Sequence, residues 1–277
     1  MRKFKSSAHS YILDMFAQHH MVKRTVLSFL SIVIMGLGTA LFNVSGFGVD
    51  PFTSMNMSVA SVLGISFGTY QLIVNAAILL YVVIVAHRGL VGVGTVMNMV
   101  GVGYSCELFS HLLLPIVKQN DTLSIRIPLL LAGILVLCFS CSLFFTANIG
   151  VGPYDAVGFM LSRAAKLPYK WVRVLTDVTV VSVGLLVSGG FTALVHGNFA
   201  DIHHVGIGTI ITAFCMGPLI NFFNKTLSAK IFNVDYAQIS KDVAFFMING
   251  AMRKNSLGVV PGDNSRLYSQ AYSLTDK

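Results

Sequence analysis

The chain has 277 residues, of which 55% are hydrophobic and 11% are charged, and its formal net charge at pH 7 is +8. That charged fraction is roughly half the average for soluble domains. Three segments without a charged residue, 26–49, 51–86 and 127–154, are long enough to cross a bilayer, for which about 20 apolar residues suffice. The composition therefore argues against a soluble domain. The clustering of the basic residues indicates a cytoplasmic bias and no nucleic-acid partner.

One apolar unit occurs twice in the chain. Segment 48–53 reads Gly-Val-Asp-Pro-Phe-Thr, and segment 150–155, 102 positions later, reads Gly-Val-Gly-Pro-Tyr-Asp. Further on, 91–95 (Val-Gly-Val-Gly-Thr) corresponds to 205–209 (Val-Gly-Ile-Gly-Thr) at an offset of 114, so the second copy has gained 12 residues. Duplicated apolar units are typical of secondary transporters, whose substrate site lies where the copies meet.

Each copy is predicted to contain a span, a short helix and two further spans. The predicted order is span 25–46, short helix 51–63, and spans 67–87 and 93–114, followed by span 127–147, short helix 153–165, and spans 170–188 and 205–224. Each short helix would be about 20 Å long, too short to cross unaided. The sequence thus predicts an all-α, polytopic membrane helix bundle.

Four segments describe the predicted organisation. They are a basic cytoplasmic N-terminal segment (1–24), membrane repeat 1 (25–117), membrane repeat 2 (127–224) and a cytoplasmic C-terminal tail (225–277). The first segment suits either a helix on the membrane face or a disordered terminus. An interfacial helix is also plausible in the tail, from the apolar stripe of Val243, Phe246, Met247 and Gly250.

The distribution of Lys and Arg predicts the topology. If the short helices do not cross, each copy has three spans and the copies lie inverted. Most basic residues then face the cytoplasm, and only Lys118 and Arg126 lie outside. If all eight helices crossed, Arg88 and Lys225 would move outside. We therefore expect inverted repeats with re-entrant short helices, cytoplasmic termini, and segments 47–66 and 189–204 outside.

Two polar pairs occupy equivalent positions on the second span of each copy. Gln71 and Asn75 are four residues apart, and so are Arg173 and Asp177, so each pair lies on one helix face. Ionisable residues inside spans are functional candidates, and they face the bundle interior. The structural alternative is that Arg173 and Asp177 merely neutralise each other.

Polar residues also begin both short helices. Asp50 directly precedes the first proline, and Asp155 lies two residues beyond the second, where Thr53 stands in copy one. A carboxylate there can cap the free N–H groups of the helix, or it can form part of a cation, proton or amine site. Asn98 and Thr212 form another matched pair, after the glycine-rich blocks. Glu107 is a lone acid that we expect to reach the interface.

No motif indicates an enzyme, a metal site or a cofactor. Cys138 and Cys141 have CxxC spacing in an apolar run, which favours a packed helix over redox chemistry. The imidazole and carboxylate groups of the inserted loop match no standard zinc spacing; they belong to His196, Asp201, His203 and His204. We therefore expect no catalytic residue, no bound metal and no cofactor.

The repeated motifs resemble the signatures of a known family. Segments 47–53 and 149–156, and the blocks 92–98 and 206–209, are similar to the paired signatures of the YczE/YyaS/YitT-type bacterial membrane proteins, as is Gly217-Pro218 at the end of the last span. The resemblance covers roughly 25–224. It implies a multi-pass protein of the bacterial plasma membrane, without implying an activity. The ligand-binding C-terminal domain of the YitT branch has no clear counterpart, so the chain looks closer to YczE.

These observations favour a small-solute transporter. Its site between the copies would be lined by Asp50, Thr53, Gln71, Asn75, Asn98, Asp155, Arg173 and Asp177. The alternative is a non-transporting membrane partner that supports a cytosolic enzyme or assembly, with its basic termini as the docking surface. The expected partners are the lipid bilayer, an unidentified small solute and further copies of the chain.

Overall fold

The computed structural model describes residues 21–86, 91–118, 122–147, 149–165, 167, 169–187 and 205–232, and every element within these ranges is helical. Residues 1–20, the inserted loop with its histidines, and the tail beyond residue 232 lie outside the described residues. The interpretations of those three segments therefore stay predictions.

The helices follow the predicted order. They are α1 (Met21–Val44), α2 (Pro51–Leu63), α3 (Phe67–Ala86), α4 (Val93–Lys118), α5 (Leu123–Ala147), α6 (Pro153–Ala165), α7 (Tyr169–Val187), α8 (Ile207–Phe223) and, after a π-helical turn (Asn224–Ser228), α9 (Ala229–Phe232). The two short helices, α2 and α6, have the predicted boundaries. The other boundaries differ from the prediction by at most four residues. The π-helical turn was not predicted.

Five helical segments of the described chain are long and apolar enough to cross a membrane. They are Val22–Val44, Phe67–Val85, Val93–Lys118, Leu123–Ala147 and Ile207–Phe232. Helix α7 has 19 residues, but charged residues lower its mean hydropathy. The chain is therefore a multi-pass membrane protein with an all-α fold.

The helix faces have the inside-out polarity of a membrane bundle. On α3, Gln71 and Asn75 are 4% and 2% exposed, whereas Leu80 and Ile84 are 62% and 66% exposed. On α7, Asp177 is buried while Leu175 points outward. Apolar side chains thus face the lipid and polar side chains face the interior, as expected where hydrocarbon replaces water.

The first spans of the two copies pack together as an antiparallel pair, α1 with α5. Arg24 Nη1 donates to the carbonyl oxygen of Ala147 at 3.2 Å, and Arg126 Nε donates to that of Ser45 at 2.8 Å. Each arginine lies near the start of one helix and caps the end of the other, where a positive charge is favourable. Arg24 and Arg126 are 102 positions apart, and so are Ser45 and Ala147. The same contact therefore occurs twice, with the copies exchanged.

A second reciprocal contact holds the segments that follow these helices. Gly94 N donates to the carbonyl oxygen of Ile149, and Gly208 N donates to that of Phe47, both at 2.9 Å. Gly48, at a φ of 92°, lies beside the second of these bonds: a Cβ there would be 2.5 Å from Gly206 N. Gly150, at 131°, has the same position in copy two. Only glycine combines this backbone conformation with so close an approach.

The two short helices and the spans that follow them are connected in the same reciprocal way. Short helix α2 packs against α7 of the other copy, and short helix α6 packs against α3. Contacts of α2 with α3 and of α6 with α7 complete a ring of four helices. The apolar core is formed mainly by α1, α4 and α5.

Phe42 tests this core, because it is fully buried between α1, α5 and α8. Phe42→Ala should lower the free energy of unfolding by about 3 kcal/mol, the usual cost of removing a buried phenylalanine ring. The matched control is Phe214→Ala, since Phe214 is 65% exposed. Thermal unfolding in detergent measures both. Equal midpoints for the two variants would contradict the assigned core.

Candidate solute-binding site

The site begins with the cap of α2. Asp50 has a non-helical backbone conformation, and its Oδ2 accepts a hydrogen bond from Thr53 N at 3.1 Å. Pro51 occupies the first helical turn, where its missing N–H costs nothing. The capping role predicted for Asp50 is therefore present, and Thr53 is part of the cap.

The two short helices meet at their first turns. The rings of Phe52 and Tyr154 stack with their centroids 4.3 Å apart and an interplanar angle of 11°. These two residues occupy equivalent positions in the copies, 102 residues apart. Each ring therefore contacts its own counterpart, and we call the junction of the two short helices, with the polar side chains around it, the centre.

This meeting point lies between the two ends of the α1/α5 pair. The bond from Arg24 to Ala147 places the end of α5 beside the start of α1. Ser45 lies 21 residues beyond Arg24, about 31 Å away at about 1.5 Å per helical residue. Phe52 and Tyr154 each follow one of these distant ends by seven positions, and yet they touch. The two connecting segments therefore converge from opposite ends.

A charged cluster surrounds Tyr154. Arg173 forms ion pairs with Asp155 and with Asp177, the latter at 3.2 Å from Nε to Oδ1. Tyr154 Oη donates to Asp177 Oδ1 at 2.7 Å, and the Arg173 guanidinium lies 4.6 Å from the centroid of the tyrosine ring. Arg173 is thus shared between two carboxylates and an aromatic face. The predicted contact between Arg173 and Asp177 is present, but it belongs to a larger network.

Burial makes this network sensitive to the loss of any member. The side chains of Arg173 and Asp155 are 22% exposed and that of Asp177 is 5% exposed. Asp50 also lies within electrostatic range of Arg173. Removing one partner from a buried ion pair leaves an uncompensated charge in a medium of low dielectric constant.

Asn98 of α4 lies beside this cluster. A Cβ at Gly152 would be 3.1 Å from Asp155 Oδ2 and 3.3 Å from Asn98 Oδ1. Asn98 Nδ2 also contacts the sulfur of Met35 at 3.8 Å. Gly152 is the counterpart of Asp50. The Asp155 carboxylate thus lies close to the position that the side chain of Asp50 starts from in the other copy.

The half of the centre that belongs to the first copy is polar, and its buried polar side chains on α3 carry no charge. Its hydrogen bonds are incomplete. Gln71 is 4% exposed, and its Oε1 has no hydrogen-bond partner among the described residues. Asn56 of α2 is fully buried, and within the same residues neither of its amide atoms has a partner, nor has Ser54 Oγ. Asn56 was missed in the sequence, although it lies three residues after Thr53 and so on the same helix face.

Six of the eight predicted site residues fall into two groups. Asp155, Arg173 and Asp177 form one network with Asn98 beside it, and Asp50 and Thr53 form the cap of α2. The other two, Gln71 and Asn75, are buried on α3. Tyr154, whose phenol joins the network, was not among the predicted site residues, although it stands beside Asp155 in the repeated motif.

Other candidate residues have structural contacts. Glu107 Oε2 accepts a hydrogen bond from Gly68 N at 3.3 Å, which satisfies a free N–H at the start of α3. Thr212 Oγ1 donates to the carbonyl oxygen of Gly208. Cys138 and Cys141 are packed in the apolar core. Within the described ranges, no three His, Cys, Asp or Glu residues are grouped as metal ligands.

Comparison with known proteins identifies relatives without an assigned activity. The profile of a family of unknown function, DUF6198, matches residues 22–225. An uncharacterized protein of Haemophilus influenzae is 25% identical over 73% of this chain and 84% of its own. The uncharacterized Bacillus subtilis membrane protein YczE is 21% identical over 82% and 96%, and B. subtilis YyaS is 19% identical over 70% and 89%. No solved structure matches the chain. The resemblance in the repeated motifs is thereby confirmed.

Asp177→Asn tests the network. The amide lacks the negative charge that pairs with Arg173, so the free energy of unfolding should fall by about 1.5–3 kcal/mol, the usual value of a hydrogen bond to a charged group. Tyr154→Phe keeps the stacked ring and should cost about 1 kcal/mol. Thr179→Val on the exposed face of α7 is the control. The network would be unimportant if thermal unfolding in detergent showed no difference between the Asp177 variant and the control.

Proposed function

The chain belongs to the DUF6198 family, and from the geometry of its polar centre we propose that it is a small-solute transporter or permease of the bacterial plasma membrane. Its site would lie between two inverted repeats, and both termini would be cytoplasmic. The buried, incompletely hydrogen-bonded polar centre at the meeting point of the short helices is the observation that carries this proposal.

The reciprocal contacts support the inverted arrangement. Arg24 and Arg126 cap opposite ends of the α1/α5 pair, and these two helices run antiparallel. A two-fold relation that exchanges antiparallel helices has its axis perpendicular to them. For spans that cross a bilayer, such an axis lies in the membrane plane, as in transporters built from inverted repeats.

The stacked rings support re-entrant short helices. Phe52 and Tyr154 meet between the ends of a helix pair about 31 Å long, which is close to the thickness of the hydrocarbon core. Their helices have 13 residues each and cannot span that distance. Irregular backbone at such depth is tolerated only beside protein or a water-filled cavity. In this arrangement α7, with its outward-facing apolar residues, is the sixth span.

Energetics favour a ligand or water at this centre. A polar group buried in an apolar medium without a hydrogen bond costs about 1–3 kcal/mol in proteins, so unpaired groups such as the Asn56 amide are normally satisfied by something. Helix capping accounts for Asp50, but not for Asn56 or for Gln71. A solute that binds between the copies would satisfy them.

Two separate sets of contacts, which we call closures, join the repeats at opposite ends of the α1/α5 pair and support alternating access. At one end, Arg24 and Gly94 hold the segment after α5; at the other, Arg126 and Gly208 hold the segment after α1. Each closure joins the two repeats, so rocking one repeat against the other opens one end while the other stays closed. Because the sequence has no ATPase motif, coupling would be to an ion gradient or a partner, or there would be none.

The scaffold alternative and the absence of enzymatic activity stay predictions. A scaffold has no need of a hydrated centre, whereas a transporter must expose this centre to both sides of the membrane in turn. Accessibility of the centre therefore separates the two functions without knowledge of the solute.

The test uses a chain with its four cysteines replaced and one new cysteine at Thr53, which is 5% exposed. A membrane-impermeant thiol reagent is applied to right-side-out and to inverted vesicles. We expect Thr53→Cys to react from both sides. The control, Ala40→Cys in the apolar core, should react from neither. Reaction of Thr53→Cys from one side only, or from neither, would contradict a transporter.

A further inference from the structure

The two halves of the centre differ in charge: among the described residues, one half contains a cation and the other does not. In repeat 2, the Arg173 guanidinium lies between two carboxylates and over the ring of Tyr154. The counterpart of Arg173 in repeat 1 is Gln71, which is shorter and uncharged. Asn75 and Phe52 are the counterparts of Asp177 and Tyr154. Repeat 1 thus has the aromatic and polar groups of repeat 2 without its cation.

Both repeats nevertheless supply a carboxylate at the start of the short helix. In repeat 1 it comes from Asp50. In repeat 2 it comes from Asp155, whose Oδ2 would lie 3.1 Å from a Cβ at Gly152, the counterpart of Asp50. Asp155 forms an ion pair with Arg173. For Asp50, the described part of the chain provides a backbone N–H at Thr53 but no ion-pair partner.

Unpartnered acceptors accompany this carboxylate. Gln71 Oε1 and Asn56 Oδ1 are buried, and the part of the chain that the structure describes offers neither of them a hydrogen-bond partner. Asn56 lies on the face of α2 that carries Asp50 and Thr53, at successive spacings of three residues. Gln71 is the counterpart of Arg173, which reaches the start of the other short helix, and its helix α3 contacts α2. Two amide oxygens and a carboxylate are a set of acceptors suited to N–H donors on a cation.

The net charge of the centre also favours a cation as the solute. Among the described residues, the carboxyl groups of Asp50, Asp155 and Asp177 share one guanidinium, that of Arg173, which pairs with the last two and acts electrostatically on Asp50. An anionic solute would add to the excess of negative charge, whereas a cation would reduce it. The guanidinium of Arg173 shows, within the same molecule, which kind of ion the equivalent half accepts.

We propose that the solute is a small organic cation with N–H donors, a primary ammonium or a guanidinium ion. It binds in the repeat-1 half, to the carboxylate of Asp50 and the amide oxygens of Gln71 and Asn56. This inference rests on the proposed transport function and names the substrate class of that site.

The test measures thermal unfolding of the purified full-length protein in detergent. The probes are methylguanidinium chloride and propylammonium chloride, with sodium chloride and sodium propionate at equal ionic strength as controls. We expect a saturable rise in the unfolding midpoint with at least one organic cation and none with the controls, because a ligand that binds the folded state alone stabilises it. An equal rise with either sodium salt would overturn the organic-cation assignment.

Two substitutions at Gln71 locate the site. Gln71→Arg supplies the missing guanidinium, so this variant should unfold at a higher temperature than the wild type without a probe and should not respond to one. Gln71→Leu keeps the volume but removes the acceptor, and should weaken the apparent affinity by about tenfold or more. Thr179→Val should respond as the wild type does. Unchanged responses in both Gln71 variants would overturn the assigned site.

The outcome is separable from that of the transport proposal. If no organic cation stabilises the protein but Thr53→Cys still reacts from both sides of the membrane, the transporter stands and the substrate class is wrong. If the cations bind but Thr53→Cys reacts from one side or neither, the site is real and the transport function is wrong.

Discussion

The architecture depends on satisfying backbone polar groups where the chain leaves the first span of each copy. At these points the backbone is irregular, and within a bilayer no water would replace a missing hydrogen bond. The other copy supplies the partners: Gly94 N bonds to the carbonyl oxygen of Ile149, and Gly208 N to that of Phe47. Arg24 and Arg126 cap the two helix ends in the same manner. Neither copy is complete alone, which explains why a duplicated unit is required.

This exchange of partners also accounts for the polar centre. Because each connecting segment is held by the opposite copy, the two short helices are directed toward each other, and Phe52 and Tyr154 stack at their junction. Charged and amide side chains collect around this junction, where the surrounding helices shield them from lipid. The copies have diverged at this point: Arg173 occupies one half as part of an ion network, and the other half retains unpaired groups on Gln71 and Asn56.

Much of the fold could be predicted from the sequence, because its signals are local. Proline at the first turn and a glycine after the last residue bound α2, and uncharged runs bound the spans. The Arg173–Asp177 contact followed from helical spacing alone. Partners on other elements could not be predicted: the bond from Tyr154 to Asp177 joins two helices, and the arginine caps join residues 81 and 123 positions apart. Asn56 was overlooked although helical spacing places it on the face of Thr53, because spacing alone does not show that this face is buried.

In the proposed arrangement, the short helices approach each other from opposite sides and meet at Phe52 and Tyr154. Cross-linking in native membranes tests this arrangement most directly, with cysteines at both positions of a chain that has no others and a short bifunctional thiol reagent. We expect an intramolecular cross-link, and none for a control pair of Phe52→Cys with Phe214→Cys, since Phe214 lies on an outward-facing surface. Failure of the first pair to cross-link, with both cysteines still reactive after mild unfolding, would contradict the meeting of the short helices.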